Sequence, residues 1–275
     1  MRPLTTATAP AAIALLEQDP IDNALAGSRL VDITGTRMLS REFSGLFHRG
    51  DLTALLWHGI SLSVMGEVSQ GDLELLAERA RRARREYASV VGPSRDVARL
   101  WPLVRSSLGR PREFRWTQLM MLADQRPSVA PSDELRFARP EEADLVFPAA
   151  VAMFKEEVGT DPTAWDGGRS YRDRVEQLIA ERRTAVVRRG DDIVFKADVG
   201  AIFGPVAQIH GVWTAPAERG KGLGSAAMAR AVQLFQLQHS TPQVTLYVND
   251  FNSAARRAYT QAGFRQVGEF ASLLF

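Results

Sequence analysis

The stretch Val212-Trp213-Thr214-Ala215-Pro216-Ala217-Glu218-Arg219-Gly220-Lys221-Gly222-Leu223-Gly224-Ser225 combines a strand end, a glycine-rich loop and a helix start. Its three alternate glycines lack a Cβ, which lets the backbone approach a ligand closely. The helix that follows offers unpaired N–H groups and the positive end of its dipole, which together favour an anion. Arg219 and Lys221 add two cationic side chains beside those donors. This stretch therefore predicts a binding loop for a phosphate-bearing ligand.

The spacing of the loop excludes two common phosphate-binding motifs. A Walker A loop requires Gly, four residues and then Gly-Lys-Ser/Thr, and no such run occurs in the chain. A dinucleotide-binding fingerprint requires its third glycine three residues after the second, where this chain has Ser225. The spacing Arg219-x-x-Gly222-x-Gly224 instead resembles the acetyl-coenzyme A loop of the GNAT superfamily of N-acetyltransferases. On the loop alone, a tight turn without a ligand is the alternative.

A second motif follows the loop near the C-terminus. Residues 252–264 match the superfamily pattern N-x-x-A-x-x-x-Y-x-x-x-G-F. Asn252 is a favoured N-cap residue, and Gly263 is a favoured residue just beyond a helix C-terminus. Asn252 and Tyr259 are seven residues apart and therefore lie on one helix face. The two motifs in this order extend the resemblance over residues 134–275.

The order of predicted elements divides the chain into three parts. Residues 1–124 are predicted as an N-terminal domain, 125–133 as a Pro- and Ser-rich linker, and 134–275 as one acetyltransferase domain. The N-terminal part shows the order strand–strand–helix–strand–helix–strand but no Arg-x-x-Gly-x-Gly loop. It resembles uncharacterised domains attached to some actinobacterial acetyltransferases, which implies a degenerate GNAT-like domain. We expect an α/β (α+β) fold with a mixed, mostly antiparallel twisted sheet flanked by helices, and a second, smaller GNAT-like α/β domain at the N-terminus.

Hydrophobic periodicity and turn residues predict the individual elements. In the N-terminal part, helices are predicted at 11–16, 73–85 and 95–108, and strands at 46–48, 52–57, 87–91 and 114–122. In the C-terminal part, a strand begins at 135, helices are predicted ending at 158 and spanning 171–181, 225–236 and 253–262, and strands at 184–188, 193–199, 206–214, 244–248, 264–267 and 270–275.

Composition limits the classes of function. The chain has 275 residues, no cysteine and a formal net charge of +2. Without cysteine there is no disulfide, thiolate metal site or cysteinyl acyl-enzyme, and four histidines without paired spacing argue against zinc. No apolar run reaches the ~20 residues that cross a bilayer, and no secretory signal is visible, so we expect a cytoplasmic protein without membrane or metal. The charge gives no argument for nucleic acid. A basic run at 78–86 favours a solvated helix face, with an anionic partner surface as the alternative.

The resemblance implies direct transfer of an acetyl group from acetyl-coenzyme A to a primary amine, without a covalent enzyme intermediate. The N–H of Val212 would polarise the acetyl carbonyl. Tyr259 matches the general acid that protonates the leaving thiolate, and an ordinary tyrosine pKa of ~10 keeps that proton available at neutral pH. A core tyrosine is the alternative for Tyr259, and a helix cap alone is the alternative for Asn252. The implied coenzyme contacts are Val212, Thr214, Arg219, Gly220, Lys221, Gly222, Leu223, Gly224, Ser225 and Asn252.

The general base is where the chain departs from the superfamily pattern. Some members carry Glu at the position of Gln208, and a glutamine cannot usefully accept a proton. His210 lies two residues further along and so on the same strand face, and its reference pKa of ~6.5 suits a base or a water relay. A structural role is the alternative for His210. Glu156 and Glu157, near the end of a predicted helix, are the other candidates for the base and for the acceptor site.

Other functions stay open on the sequence. The loop recognises coenzyme A and not the acyl chain, so a longer acyl group would fit it equally. The departure at Gln208 keeps open an acyl-coenzyme A-binding regulator with little or no turnover. A tandem enzyme with two catalytic copies is disfavoured, because the N-terminal part has no second motif. The motifs identify neither the amine acceptor, a small molecule or a protein amine, nor whether the chain forms a homodimer.

Overall fold

The computed structural model describes residues 1–83, 86–164 and 166–275. These residues divide into two compact units. Unit 1 comprises Met1–Met120, Tyr247–Phe251 and Val267–Phe275, and unit 2 comprises Met121–Leu246 and Asn252–Gln266. Unit 1 therefore includes two segments from the C-terminal end of the chain. The domain bounds 1–124 and 134–275 stay a prediction.

Unit 1 is a mixed α/β unit. Its helices are α1 (Ala9–Leu16), α2 (Ala24–Ile33), α3 (Met38–Glu42), α4 (Gln70–Ala83) and α5 (Ser94–Leu108). Its strands are β1 (Arg2–Pro3), β2 (Phe43–His48), β3 (Asp51–His58), β4 (Ser61–Gly66), β5 (Ser89–Pro93) and most of β6 (Glu113–Ala123).

Unit 2 is also a mixed α/β unit. Its helices are α6 (Ala143–Val158), α7 (Arg169–Ala180), α8 (Leu223–His239) and α9 (Ser253–Gln261). Its strands are β7 (Arg136–Phe137), β8 (Thr184–Arg189), β9 (Asp192–Phe203), β10 (Val206–Thr214) and the first parts of β11 (Gln243–Asn249) and β12 (Phe264–Leu274).

The strands of unit 1 form an antiparallel meander that ends in a parallel pair. β1 to β4 pair antiparallel in chain order, and β4 pairs parallel with β5 after the crossover through α4. At the β2–β3 turn, Arg49 and Gly50 both have positive φ, 52° and 101°, as the type I′ turn of a tight hairpin requires. Leu73, Leu76 and Leu100 of α4 and α5 belong to the core packed against this meander. Residues Phe270–Leu274 of β12 pair antiparallel with β5.

The strands of unit 2 follow the same plan. β7 to β10 pair antiparallel in chain order, and β10 pairs parallel with β11 after the crossover through α8. Val146 and Ala150 of α6 and Val175 and Ile179 of α7 join Val186 of β8 in one buried cluster, so both helices cover the same face of the sheet. The parallel pairing of β10 with β11 covers only Val206–Gln208.

A buried carboxylate fixes the start of α6. Glu142 is 3% exposed, and its two oxygens accept one hydrogen bond each, at 2.7 Å, from the guanidinium of Arg136. The backbone N–H of Arg139 and the guanidinium of Arg188 also donate to it. The Arg136 hydrogen bonds lower the pKa of Glu142 to about 2, so the anchor stays ionised at neutral pH.

The structure corrects several element predictions. The strands predicted at 264–267 and 270–275 are one strand, Phe264–Leu274, because the backbone passes Gly268 without a positive φ. The helices α2 and α3 and the strand β4 were not predicted, so the predicted order of N-terminal elements was incomplete. The helix predicted at 73–85 spans Gln70–Ala83, and its last two residues and part of the basic run lie outside the described residues. The strand predicted at 206–214 is confirmed residue for residue.

The segment predicted as a linker is bound along unit 2. The N–H groups of Gln125, Ser128 and Ser132 donate to the carbonyls of Gly263, Gln261 and Ala226 at 2.9–3.0 Å. This segment therefore lines α8 and the end of α9. Whether it also separates two domains stays a prediction.

A substitution at Gly263 tests the contact between residues 125–133 and the end of α9. Its φ is +95°, and an added Cβ would lie 2.4 Å from the backbone oxygen of Gln125. Because that oxygen belongs to hydrogen-bonded backbone, we expect Gly263→Ala to lower the free energy of unfolding by at least about 2 kcal/mol. Urea unfolding at neutral pH measures the change.

Gly204→Ala is the matched control, since Gly204 has φ +51° and open space around its Cβ position. That variant should lose only the ~1 kcal/mol of a left-handed backbone. Equal losses in the two variants would show that the contact with Gln125 contributes nothing.

Candidate functional site

The strand before the glycine loop carries a bulge at the point where it parts from its neighbour. β10 and β9 pair at His210 with Asp198 and again at Trp213 with Lys196. Gly211 and Val212 therefore oppose the single residue Ala197, which is the two-against-one count of a β-bulge. Gly211 has φ +58°, and Val212 has no Cα partner on β9 or β11. The end of β10 thus has backbone groups on its β11 side that are not paired with β11.

The glycine loop leads directly into the uncapped N-terminus of α8. Gly220 and Gly222 have φ values of +76° and +85°, a conformation that an L side chain adopts only with strain. Gly222 is the N-cap residue, and no described side chain caps the helix there. Helix geometry leaves the first N–H groups, from Leu223 to Ser225, without an intrahelical acceptor. An added Cβ at Gly220 or Gly222 would meet nothing within 4 Å, so there is open space beside the loop.

Both cationic side chains of the loop are paired with carboxylates. Arg219 donates to Glu156 Oε2 at 2.7 Å and to the backbone oxygen of Thr214 at 2.9 Å. Lys221 donates to Glu218 at 3.3 Å, and Glu218 also accepts a bond from Arg189. The positive charge of the loop is therefore largely balanced. The groups without an intrahelical acceptor are the backbone N–H groups at the start of α8.

The predicted acceptor residues lie at the end of α6. Glu156 accepts from Trp213 Nε1 at 3.1 Å as well as from Arg219, so it ties α6 to the end of β10 and to the loop. Burial and, to a smaller extent, the negative charge of Glu157 raise the pKa of Tyr259. An acceptor role for either residue stays a prediction.

Helix α9 positions Tyr259 and contacts the start of α8. The Asn252 side-chain oxygen accepts from the Ala255 N–H at 3.1 Å, so the predicted cap is present. Ser225 at the start of α8 donates to the Gln261 side chain at 2.7 Å. Tyr259 is 9% exposed, and burial, together with the charge of Glu157, raises its pKa. Its hydroxyl therefore stays protonated throughout the neutral range.

A row of polar side chains crosses β10 and β9 beneath α6 and α7. His210 Nε2 donates to Gln208 Oε1 at 2.9 Å, and Gln208 is 1% exposed. The imidazole lies directly over Gly200, where an added Cβ would be 2.0 Å from its Nδ1. Burial lowers the pKa of His210 to about 4. His210 is thus neutral at pH 7 and a weak base.

The same row continues into a buried ion pair. Lys196 is 1% exposed and donates to Asp198 Oδ2 at 2.5 Å and to the backbone oxygen of Gly211 at 3.0 Å. This pair was not predicted from the sequence. A signal was present, because two opposite charges two residues apart in the apolar run 193–199 must lie on one strand face.

In unit 1 the crossover helix is α4, and side chains cap its N-terminus. The Ser69 side chain accepts from the N–H of Asp72 at 3.2 Å and donates to its carboxylate, so it caps α4. The Asp72 carboxylate also lies 2.9 Å from His48 Nε2. An acid in the first turn takes the position favourable for an anion. The serine and aspartate three residues apart are a sequence signal for this cap. That the N-terminal part has no coenzyme site stays a prediction.

The described residues contain neither a membrane-spanning helix nor a metal-binding group of side chains. In residues 1–83, 86–164 and 166–275, no helix is long and apolar enough to cross a bilayer. Over the same residues, no group of three or more histidine, aspartate or glutamate side chains could hold a metal ion.

Comparison with solved structures supports the fold of the whole chain. A GCN5-related N-acetyltransferase from Sphaerobacter thermophilus is 17% identical, with 98% of this chain and 93% of that chain covered and a TM-score of 0.64. A GNAT-family acetyltransferase from Colwellia psychrerythraea is 13% identical over 96% and 97%, with a TM-score of 0.57. A tandem GNAT protein from the clavulanic acid biosynthesis pathway is 14% identical over 98% and 97%, with a TM-score of 0.56. The predicted fold class is confirmed.

Two family models match different parts of the chain. Residues 41–146 match a model described as a domain of unknown function (DUF4081). Residues 152–264 match the model of the Acetyltransferase (GNAT) family. A search of curated proteins gives no match. The second match spans the bulged strand, the glycine loop and Tyr259, and it confirms the predicted resemblance of the C-terminal half to the GNAT acetyltransferase family over residues 152–264.

Proposed function

We propose that this protein is an N-acetyltransferase that transfers the acetyl group of acetyl-coenzyme A directly to a primary amine. One observation carries the proposal: the uncapped start of α8 follows a glycine loop at the open end of the bulged strand β10. A pyrophosphate fits the N–H groups and the dipole at the start of α8, and an extended pantetheine fits the edge of β10 at Val212 and Thr214, beyond the end of the pairing with β11.

In the proposed reaction the amine attacks the thioester carbonyl carbon. A C–N bond forms, negative charge develops on the carbonyl oxygen, and the N–H of Val212 stabilises it. The C–S bond then breaks, and Tyr259 donates its proton to the leaving thiolate. Because the pKa of Tyr259 is raised, the phenol is protonated throughout the neutral range and has a proton to donate. The chain has no cysteine, which fits direct transfer.

The amine must lose a proton, and His210 is our candidate for its transfer. A base with a pKa of about 4 holds a proton poorly at neutral pH. We therefore assign His210 the role of a neutral relay that passes the proton toward solvent. Glu156 and Glu157 are proposed to bind the acceptor amine, with Glu156 also holding Arg219 beside the loop.

Coenzyme binding tests the loop directly. We expect Gly222→Glu to weaken acetyl-coenzyme A binding at least about 100-fold, because it places a carboxylate beside the phosphate-binding N–H groups. Isothermal titration calorimetry measures the affinity. Gly204→Glu is the control, since Gly204 also has a positive φ and open space but lies in the β9–β10 turn. Wild-type protein that does not bind acetyl-coenzyme A would overturn the proposed function.

Tyr259→Phe tests the general acid. We expect kcat to fall about 100-fold or more with little change in KM for acetyl-coenzyme A, because only the proton donor is lost. A screen of primary amines can follow thiol release with a thiol-reactive dye, which meets no cysteine in the protein. Tyr87→Phe is the control and should keep full activity. It removes the hydroxyl of a different buried tyrosine, which donates to the Ala80 backbone oxygen.

A normal kcat in Tyr259→Phe would contradict the acid role. If acetyl-coenzyme A binds but no amine causes thiol release, the result would favour an acyl-coenzyme A-binding regulator over an enzyme.

The lowered pKa of His210 predicts a pH-dependent stability. The unfolded histidine, with a pKa of ~6.5, takes up its proton before the folded one does. The stabilisation is therefore complete above pH 6.5 and is lost as the pH falls toward 4, by up to about 3 kcal/mol. Urea unfolding of wild type and His210→Asn from pH 7.5 to 4 should show a smaller loss in the variant. Parallel curves would contradict burial of a neutral imidazole.

A further inference from the structure

Lys196 is a buried lysine in a chain that uses lysine three times, at 155, 196 and 221. Its ammonium is almost fully removed from water and bonds Asp198 on its own strand and the Gly211 carbonyl on the next one. Burying a cation is unfavourable unless it is paired and hydrogen-bonded. The residues around it supply both a counter-charge and an acceptor.

The acceptor is the carbonyl of the bulge. In a trans peptide, the C=O of one residue and the N–H of the next point in opposite directions, and the described chain has no cis peptide bond. With the Gly211 oxygen held toward Lys196, the Val212 N–H must point away from Lys196. On β10, that N–H belongs to a residue without a Cα partner on either neighbouring strand.

The bulge and the ion pair fit each other closely. An added Cβ at Gly211 would lie 3.0 Å from Asp198 Oδ2 and 3.3 Å from Lys196 Nζ. It would also lie 3.1 Å from the Met153 Cε of α6. Glycine at 211 thus permits both the left-handed φ and the approach of the ion pair to the backbone. A charged donor on the Gly211 oxygen also polarises the peptide group, which makes the Val212 N–H a stronger donor.

We infer that Lys196 is a positioning residue that holds the Gly211–Val212 peptide so that the Val212 N–H faces the acetyl carbonyl, with Asp198 as its counter-ion. This inference rests on the proposed function. The side chain of Lys196 itself touches neither the acetyl group nor the coenzyme. It acts through one peptide group, in the way that a preorganised oxyanion donor is kept in place before the reaction.

The frequency of the carbonyl stretch of bound acetyl-coenzyme A depends on the hydrogen bond that the Val212 N–H donates to it. With the acetyl carbonyl labelled with carbon-13, difference infrared spectroscopy measures its shift to lower frequency on binding. We expect Lys196→Met to lose about half or more of the wild-type shift, while the affinity for acetyl-coenzyme A changes less than about threefold. Arg265→Met removes an exposed ion pair with Asp124 and should keep the full shift.

A double variant separates positioning from stability. Lys196→Met with Asp198→Leu replaces the ion pair by apolar side chains, which often restores stability that a single change loses. We expect its unfolding midpoint to recover toward wild type while the frequency shift stays lost. A frequency shift that recovers together with the midpoint would show a merely structural role and overturn the inference.

The outcomes also separate this inference from the proposed function. If wild type binds acetyl-coenzyme A and shifts its carbonyl, and Lys196→Met keeps that shift, the inference fails and the proposed function stands. If wild type does not bind acetyl-coenzyme A, both fail.

Discussion

A backbone group that loses its partner in a sheet must find another one, and β10 is where unit 2 meets this constraint. Its parallel pairing with β11 ends at Gln208, and its pairing with β9 is interrupted by the bulge at Gly211 and Val212. The bulge redirects one peptide group, and the loop that follows ends at a helix start without a cap. A ligand with an extended amide chain and a pyrophosphate would satisfy both sets of groups. The proposed coenzyme site thus follows from the unfinished hydrogen bonding of one strand.

The ionisable side chains in the polar row beneath α6 and α7 differ in their hydrogen-bond and charge partners. Desolvation lowers the pKa of His210 to about 4, so the imidazole is neutral at pH 7. Lys196 is buried with Asp198 and the Gly211 carbonyl. The proposed relay role of His210 and the inferred positioning role of Lys196 rest on this difference. Glu156 lies outside this row and connects Arg219 with Trp213, which gives the loop a mechanical link to α6.

The two units share a topology but differ at one helix start. Each has an antiparallel meander, a crossover helix and a parallel strand. In unit 1 the crossover helix α4 begins with Ser69 as its cap and Asp72 in its first turn, so its positive end is already neutralised. In unit 2 the crossover helix α8 begins with glycine and no acid in its first turn. A few residues at one position thus distinguish a helix start with a cap and an acidic residue from one with neither.

The sequence by itself determined the features that depend on neighbours along the chain. The glycine loop, the cap at Asn252, the bounds of β10 and the family resemblance of the C-terminal half all rest on local spacing, and φ preference and strand periodicity are local properties. The short elements α3 and β4 were missed because their form depends on burial by neighbouring elements. Only the tertiary structure decided that β10 carries a bulge, that Lys196 reaches across strands to Gly211, and that burial makes His210 a weak base. Cross-strand register and burial arise from residues far apart in the chain, so spacing along one strand cannot specify them.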